Sequence, residues 1–130
     1  MFPIKVTCAI ILFGSKTLVV QRGAAMSMPL KWEFPGGKLE AGETEEACIK
    51  REIREELNIE IELLARLTPA LHHYPDFSVE LLPFLARHKA GDLKLLEHKQ
   101  YLLLDINELS ALDWAEADVP IVEEYLKLPL

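Results

Sequence analysis

From residue 51 to residue 56 the chain reads Arg-Glu-Ile-Arg-Glu-Glu, three carboxylates within six positions. On a helix turning about 100° per residue, Ile49, Ile53 and Leu57 fall on one stripe at about 0°, 40° and 80°. Glu56, Glu52 and Glu55 then lie at about 340°, 300° and 240°, an acidic arc bordering the apolar stripe. Like charges at this spacing repel one another unless something cationic holds them together. A ligand set made only of oxygen suits a hard cation, so Mg²⁺ (or Mn²⁺) is the natural occupant. The plainer reading of such a helix taken alone is a solvated acidic face paired with Arg51 and Arg54. Gly36-Gly37 upstream argues against it, because a glycine turn lets backbone groups approach a metal or phosphate closely.

The elements that must carry these residues follow from patterning. Ile4 to Phe13 and Thr17 to Arg22 are rich in Val, Ile and Leu and read as paired strands joined at Gly14-Ser15-Lys16. Gly23 to Lys31 is a loop, and Trp32 to Pro35 a short strand ended by the glycines. Lys38 to Glu43 is a second loop. Thr44 to Leu57 is the clearest helix, with Glu45 and Glu46 in its first turn and Asn58 suited to the left-handed closing position. Ile59 to Leu67, Leu71 to Tyr74, Phe77 to Arg87 and Gln100 to Leu104 read as strands, with a turn at Ala90-Gly91-Asp92. Ile106 to Leu109 reads as a helical turn and Val119 to Leu126 as a final helix. Mixed in this order, they predict one α/β domain over residues 1–130, a sheet covered by helices on its faces.

Composition narrows the partners. Half of the 130 residues are hydrophobic, 27% are charged and the formal net charge is −7. That is the profile of an ordinary globular domain, and it excludes a disordered chain, a collagen-like repeat and a disulfide scaffold. A surface this acidic disfavours long nucleic acid, while a small phosphorylated ligand can still be held through a metal ion. Cys8 and Cys48 have no metal or redox spacing and read as reduced thiols of a cytoplasmic protein. No apolar stretch is long enough to span a bilayer. The run after Lys5 is a hairpin rather than a signal peptide, because a turn and a second apolar strand follow at once. Monomer and homodimer are both compatible with these residues.

Gly37-Lys-Leu-Glu-Ala-Gly-Glu43, seven further residues, and Arg51-Glu52-Ile53-Arg54-Glu55-Glu56-Leu57-Asn58-Ile59 together resemble the Nudix box. Every fixed charged position of that pattern is present, and Asn58 stands where the family usually has Gly. The resemblance implies the Nudix fold, a mixed β-sheet sandwiched between α-helices, and hydrolysis of a nucleoside diphosphate linked to another group. It implies that Glu52, Glu55 and Glu56 ligate divalent cations, with a backbone carbonyl of Gly37, or of Gly36, completing the site. It also implies that Arg51 and Glu43 pair to orient those carboxylates.

Residues outside the box extend the resemblance toward MutT-like nucleoside triphosphate pyrophosphohydrolases. Trp32-Glu33-Phe34-Pro35-Gly36-Gly37-Lys38 is similar to the stretch ahead of their box. Arg22 is either a contact for phosphate or ribose or a surface arginine ending its strand. Glu33 leans to the site over an edge-strand charge. Glu97-His98 is similar to a family feature in which the Glu lies near the metals, although Leu103 stands where a Trp often follows; a solvated loop Glu is the alternative. His98, His88 and the pair His72-His73 read as ordinary histidines. Asp118 is either the reader of the base or the N-cap of the last helix, and one residue can serve both. An ionised Asp accepts hydrogen bonds only, and so would favour a base edge that donates. Phe34, Tyr74 and Phe77 can stack on a base, with Phe34 read as core and Phe77 as pocket wall. Met26 and Met28 mark a loop that is either a lid or packed on the core. Such an enzyme would release a monophosphate and pyrophosphate, clearing damaged or unwanted nucleotides.

Overall fold

The computed structural model describes residues 2–129. Its elements are β1 (Ile4–Phe13), β2 (Lys16–Gln21), β3 (Trp32–Glu33), β4 (Gly36–Lys38), α1 (Glu45–Leu57), β5 (Glu60–Arg66), β6 (Ala70–His73), β7 (Ser78–Ala90), β8 (Gln100–Leu104) and α2 (Val119–Leu126), with 3-10 turns at Ile106–Ala111 and Glu116–Asp118 before α2. All eight strands join one mixed sheet, in which β1 and β7 run parallel and the other pairings are antiparallel.

Side chains alternate along the buried strands, as a pleated strand requires. Ala9 and Ile11 of β1, with Leu18 and Val20 of β2, pack under Ile49, Ile53 and Leu57 of α1. Ile10 and Val19 point the other way, into a core closed by Leu109, Trp114, Ile121, Val122 and Tyr125. The helices thus cover both faces, and the apolar stripe expected of α1 is fully buried. Cys8 and Cys48 are buried free thiols. Among the described residues no helix is long and apolar enough to cross a membrane.

Both central strands change partner along one edge. β7 pairs β6 at Ser78 to Leu81 and β5 from Phe84 onward, and Pro83, which brings no N–H to a ladder, sits at the change. β1 pairs β4 at Val6 to Cys8 and β2 at Leu12 and Phe13. Beyond that hairpin β2 continues to β3 and β8, away from β4. In the resulting gap Glu56, from the α1 layer, lines a cleft together with Val6 and Cys8 of the opposite face.

The sequence reading differs at two places that matter. Gly36–Lys38, read as a turn running into a loop, is the strand β4; glycine's poor strand propensity hides it, and pairing with β1 imposes it. The 3-10 turn at Glu116–Asp118 was not anticipated. The Gly14 turn, the bounds of β8 and of α2, and the closure of α1 at Asn58 (φ 62°) agree with expectation.

Candidate active site

Helix α1 starts where Thr44 Oγ1 accepts from Ala47 N at 3.1 Å, a cap worth about 1 kcal/mol. At its other end Asn58 closes the helix by donating its N–H to Arg54 O at 3.0 Å. The carbonyls of Glu56 and Leu57 are taken by Leu96 N and Lys94 N, each at 3.0 Å. These bonds strap residues 94–98 to the end of α1 and bring Glu97 and His98 beside Glu56.

Arg51 is the hub of the acidic face. Nε donates to Glu43 Oε2 at 2.6 Å and Nη2 to Glu43 Oε1 at 3.0 Å, a two-point clamp. Nη1 donates to Glu52 Oε1 at 2.8 Å and to both Glu55 oxygens at 3.2 Å. The guanidinium holds the Glu43 carboxyl down to about 2. Glu56 does not share the Arg51 guanidinium; it stands beside Glu52 and is buried. Burial, reinforced by Glu97, Glu52 and Glu33, pushes its carboxyl up to about 9. Among the described residues no three such side chains converge as a finished metal cage. Glu52 and Glu55 turn to Arg51, Glu55 is 58% exposed, and Glu97 is exposed on the cleft rim.

The donor chemistry nevertheless fits a hard cation. A Cβ on Gly37 would lie 2.2 Å from the Glu52 carboxylate, so only glycine lets that carboxylate sit against the β4 backbone. A Cβ on Gly36 would lie 1.9 Å from Thr7 O. The β4 register separates the two carbonyls. Ala9 N donates to Pro35 O and Leu39 N to Lys5 O, so by alternation Thr7 and Gly37 form a hydrogen-bonded pair and Gly36 does not. The Gly37 carbonyl also accepts from Thr7 Oγ1 at 3.1 Å. It is spent on β1, while the Gly36 carbonyl points off the outer edge of β4.

The cleft holds about 470 Å³, and its lining brings together Glu56, Glu97, His98, Gly36, Gly37, Arg22, Glu33, Phe34, Tyr74, Phe77 and Asp118. This size is within the range of small-molecule sites. Glu43, Arg51, Glu52 and Glu55 stand behind or beside the lining on the α1 side. Arg22 is occupied on the protein: Nη1 donates to Glu33 Oε1 at 2.9 Å, Nε to Ser27 O at 2.6 Å and Nη2 to Ser27 Oγ at 3.0 Å. It clamps the Met26 and Met28 loop, in which Met28 and Leu30 have positive φ values of 48° and 63°. Phe34 is buried in the core against Trp114, ring centroids 4.8 Å apart, and one edge reaches the cleft. Tyr74 and Phe77 pack on each other at 5.2 Å as part of the wall.

Asp118 corrects two expectations. It stands at the N-cap position with helical φ and ψ (−82°, −19°) and makes no side-chain capping bond, so it does not cap the helix. Its Oδ2 instead accepts from Phe34 N at 2.9 Å, across 84 residues of sequence. Burial, with Glu33 nearby, pushes its carboxyl well above the usual aspartate range, which undercuts the picture of a permanently ionised acceptor. His98 corrects another. Read as ordinary, it is buried with a ring nitrogen facing each of two carboxylates, Glu33 Oε2 at 2.9 Å and Glu56 Oε2 at 3.5 Å. The adjacent Glu97 was the only sequence signal pointing to it. The other histidines stay outside the cleft lining: His72 meets Glu116, His73 meets Ser78 and His88 meets the Gly91 carbonyl.

The NUDIX domain family model matches residues 3–125. CTP pyrophosphohydrolase of Escherichia coli K12 is 32% identical over 128 residues, covering 96% of this chain and 93% of that protein. 8-oxo-dGTP diphosphatase of the same organism is 28% identical over 115 residues, covering 88% and 89%. The solution structure of the DNA mismatch repair protein MutT from methicillin-resistant Staphylococcus aureus 252, named as a Nudix family hydrolase, is 40% identical, with a TM-score of 0.78 and 96% of each chain covered.

Proposed function

The chain belongs to the Nudix family, and from that premise we propose that it is a Mg²⁺-dependent pyrophosphohydrolase of nucleoside triphosphates. The substrate is a normal or modified (d)NTP, and the products are a monophosphate and pyrophosphate. The role is to clear damaged or unwanted nucleotides from the cytoplasmic pool. One observation carries the reading. A cleft of about 470 Å³ is lined by two buried acids, Glu56 and Asp118, and Glu52 stands beside it against a glycine strand. The relatives named for CTP and for 8-oxo-dGTP support the triphosphate class.

In this reading Glu52, Glu56 and the Gly36 carbonyl hold the cation, with Glu55 and Glu97 near enough to join them. Gly37 serves by letting Glu52 in, rather than by offering its own carbonyl. A bound divalent ion there would screen the charge of the phosphates, polarise their oxygens and lower the pKa of a bound water. Glu43 and Arg51 orient the helix carboxylates. Glu55 or Glu97, the more solvated carboxylates, accepts the proton of the attacking water. Arg22 and Glu33 shape the phosphate and sugar side, Phe34 and Phe77 wall the base, and Asp118 reads its edge.

The test is product analysis on CTP, the common dNTPs, 8-oxo-dGTP, ADP-ribose and a nucleotide sugar, with and without Mg²⁺. Mg²⁺-dependent formation of a monophosphate and pyrophosphate from one or more triphosphates is expected. Turnover confined to ADP-ribose or the sugar nucleotide moves the protein to another Nudix substrate class. No turnover of any of them contradicts catalysis.

A further inference from the structure

The His98 side chain is 1% exposed and wedged between carboxylates from opposite sides of the cleft. Nε2–H donates to Glu33 Oε2 at 2.9 Å. Nδ1 faces Glu56 Oε2 at 3.5 Å and has no hydrogen-bond partner among the described residues. A buried polar atom without a partner is uncommon and costly, which makes its direction informative. The other Glu33 oxygen accepts from Arg22, whose remaining bonds hold Ser27. Hydrogen bonds therefore run from the 23–31 loop through Arg22 and Glu33 to His98, whose Nδ1 edge stands against Glu56 without bonding it. The backbone repeats the link: Leu96 N donates to Glu56 O and Lys99 N to Gln21 O, both at 3.0 Å, so the segment carrying His98 is pinned to α1 and to β2.

We propose that His98 is a positioning residue with a separate task for each ring nitrogen. The Nδ1 side packs against Glu56, limits where its carboxylate can lie for the cation and keeps it apart from Glu33. The Nε2 side fixes Glu33 and, through Arg22, the loop over the nucleotide. The inference rests on the pyrophosphohydrolase reading and adds to it a residue that holds both binding partners in register.

Asn and Gln separate the two tasks, because an Asn amide stands where Nδ1 stands and a Gln amide reaches the place of Nε2. Mn²⁺ binding is read by electron paramagnetic resonance without nucleotide, and KM is read on the best triphosphate. His98→Asn is expected to keep Mn²⁺ affinity and raise KM about tenfold, whereas His98→Gln keeps KM and loses about tenfold in Mn²⁺ affinity. Glu33→Gln reaches the metal side only through the charge it presents to Glu56, so it serves if a His98 variant fails to fold; it is expected to raise KM about tenfold with a much smaller change in Mn²⁺ affinity. Parental Mn²⁺ affinity and KM in both His98 variants overturn the inference, as do equal losses of both properties in each, the mark of a mere space-filler. A loss of Mn²⁺ affinity in Glu33→Gln matching its loss in KM also overturns it. A parent protein that binds no Mn²⁺ brings down the metal-dependent reading itself.

Discussion

On the α1 side of the cleft, behind or beside its lining, Glu43, Glu52 and Glu55 all meet one guanidinium, that of Arg51, within a span of 13 residues. On the facing wall, Glu33 and Asp118 meet Arg22, His98 and the Phe34 backbone, partners scattered from residue 22 to residue 98. The first wall compensates its charge locally, and the Arg51 guanidinium holds Glu43 in the ionised form. The second is deep, and its buried acid Asp118 is pushed toward the neutral form. Glu56 lies where the walls meet and takes after the second: it belongs to α1 by sequence, yet is buried and pushed up to about 9. A cation placed at that junction would relieve the repulsion at Glu56, whereas Asp118 is better suited to hydrogen bonding than to holding charge.

The largest effect expected of this contrast is at the junction. Glu56→Gln lowers kcat by at least about 100-fold, the scale on which loss of one electrostatic contact to the transition state is felt. Its Tm stays near the parent's, because the variant removes a buried repulsion. Next come the glycines, which separate folding from chemistry. Gly37→Ala drives the Glu52 carboxylate off β4 and lowers kcat about 10- to 100-fold with a modest fall in Tm. Gly36→Ala sets a methyl against the Thr7 carbonyl, which is backbone, and costs about 1–3 kcal/mol in denaturant unfolding.

Asp118→Asn retains an acceptor for Phe34 N and leaves the fold intact. It shifts the ratio of kcat/KM between two bases about tenfold, roughly one rearranged hydrogen bond. Because burial raises the Asp118 carboxyl, its contribution to stability is lost as pH rises from the ordinary value of 3.8 through the raised one. The Asn variant therefore shows a flatter Tm profile as pH rises above 3.8. Glu43 has the opposite sign: its pair with Arg51 stabilises above 4.5 and is lost as pH falls through about 2. Glu43→Gln makes the acid fall of Tm shallower across that window. The smallest effect is at Asn58, already at φ 62°: Asn58→Gly changes stability by less than about 1 kcal/mol, since it gains backbone freedom but loses the Nδ2 bond to Asp92 O. Its kcat is parental.

The same contrast explains what the sequence disclosed. α1 and its closure at Asn58 were legible because spacing along one helix fixes them, and the Arg51–Glu43 pair followed from the resemblance to the Nudix box; Thr44, read as the first helical residue, is its cap. The β1–β2 hairpin was legible from its apolar runs and its glycine turn. β4 was hidden because two of its three residues are glycines, and only pairing with β1 makes them a strand. The carbonyl choice between Gly36 and Gly37 depends on strand register, which no local pattern encodes. Asp118 carried the local signal of an N-cap, and its contact with Phe34 N spans 84 positions. His98 looked ordinary because both its partners arrive from other elements.

The central claim is that Glu52 and Glu56 together hold a divalent cation in this cleft. Calorimetric titration with Mn²⁺, comparing the parent with the Glu52→Gln/Glu56→Gln double variant at matched Tm, tests it most directly. The account predicts that the double variant loses more than about 100-fold in affinity, beyond what supporting residues outside the ligand set cost. Parental Mn²⁺ affinity in a folded double variant would contradict it.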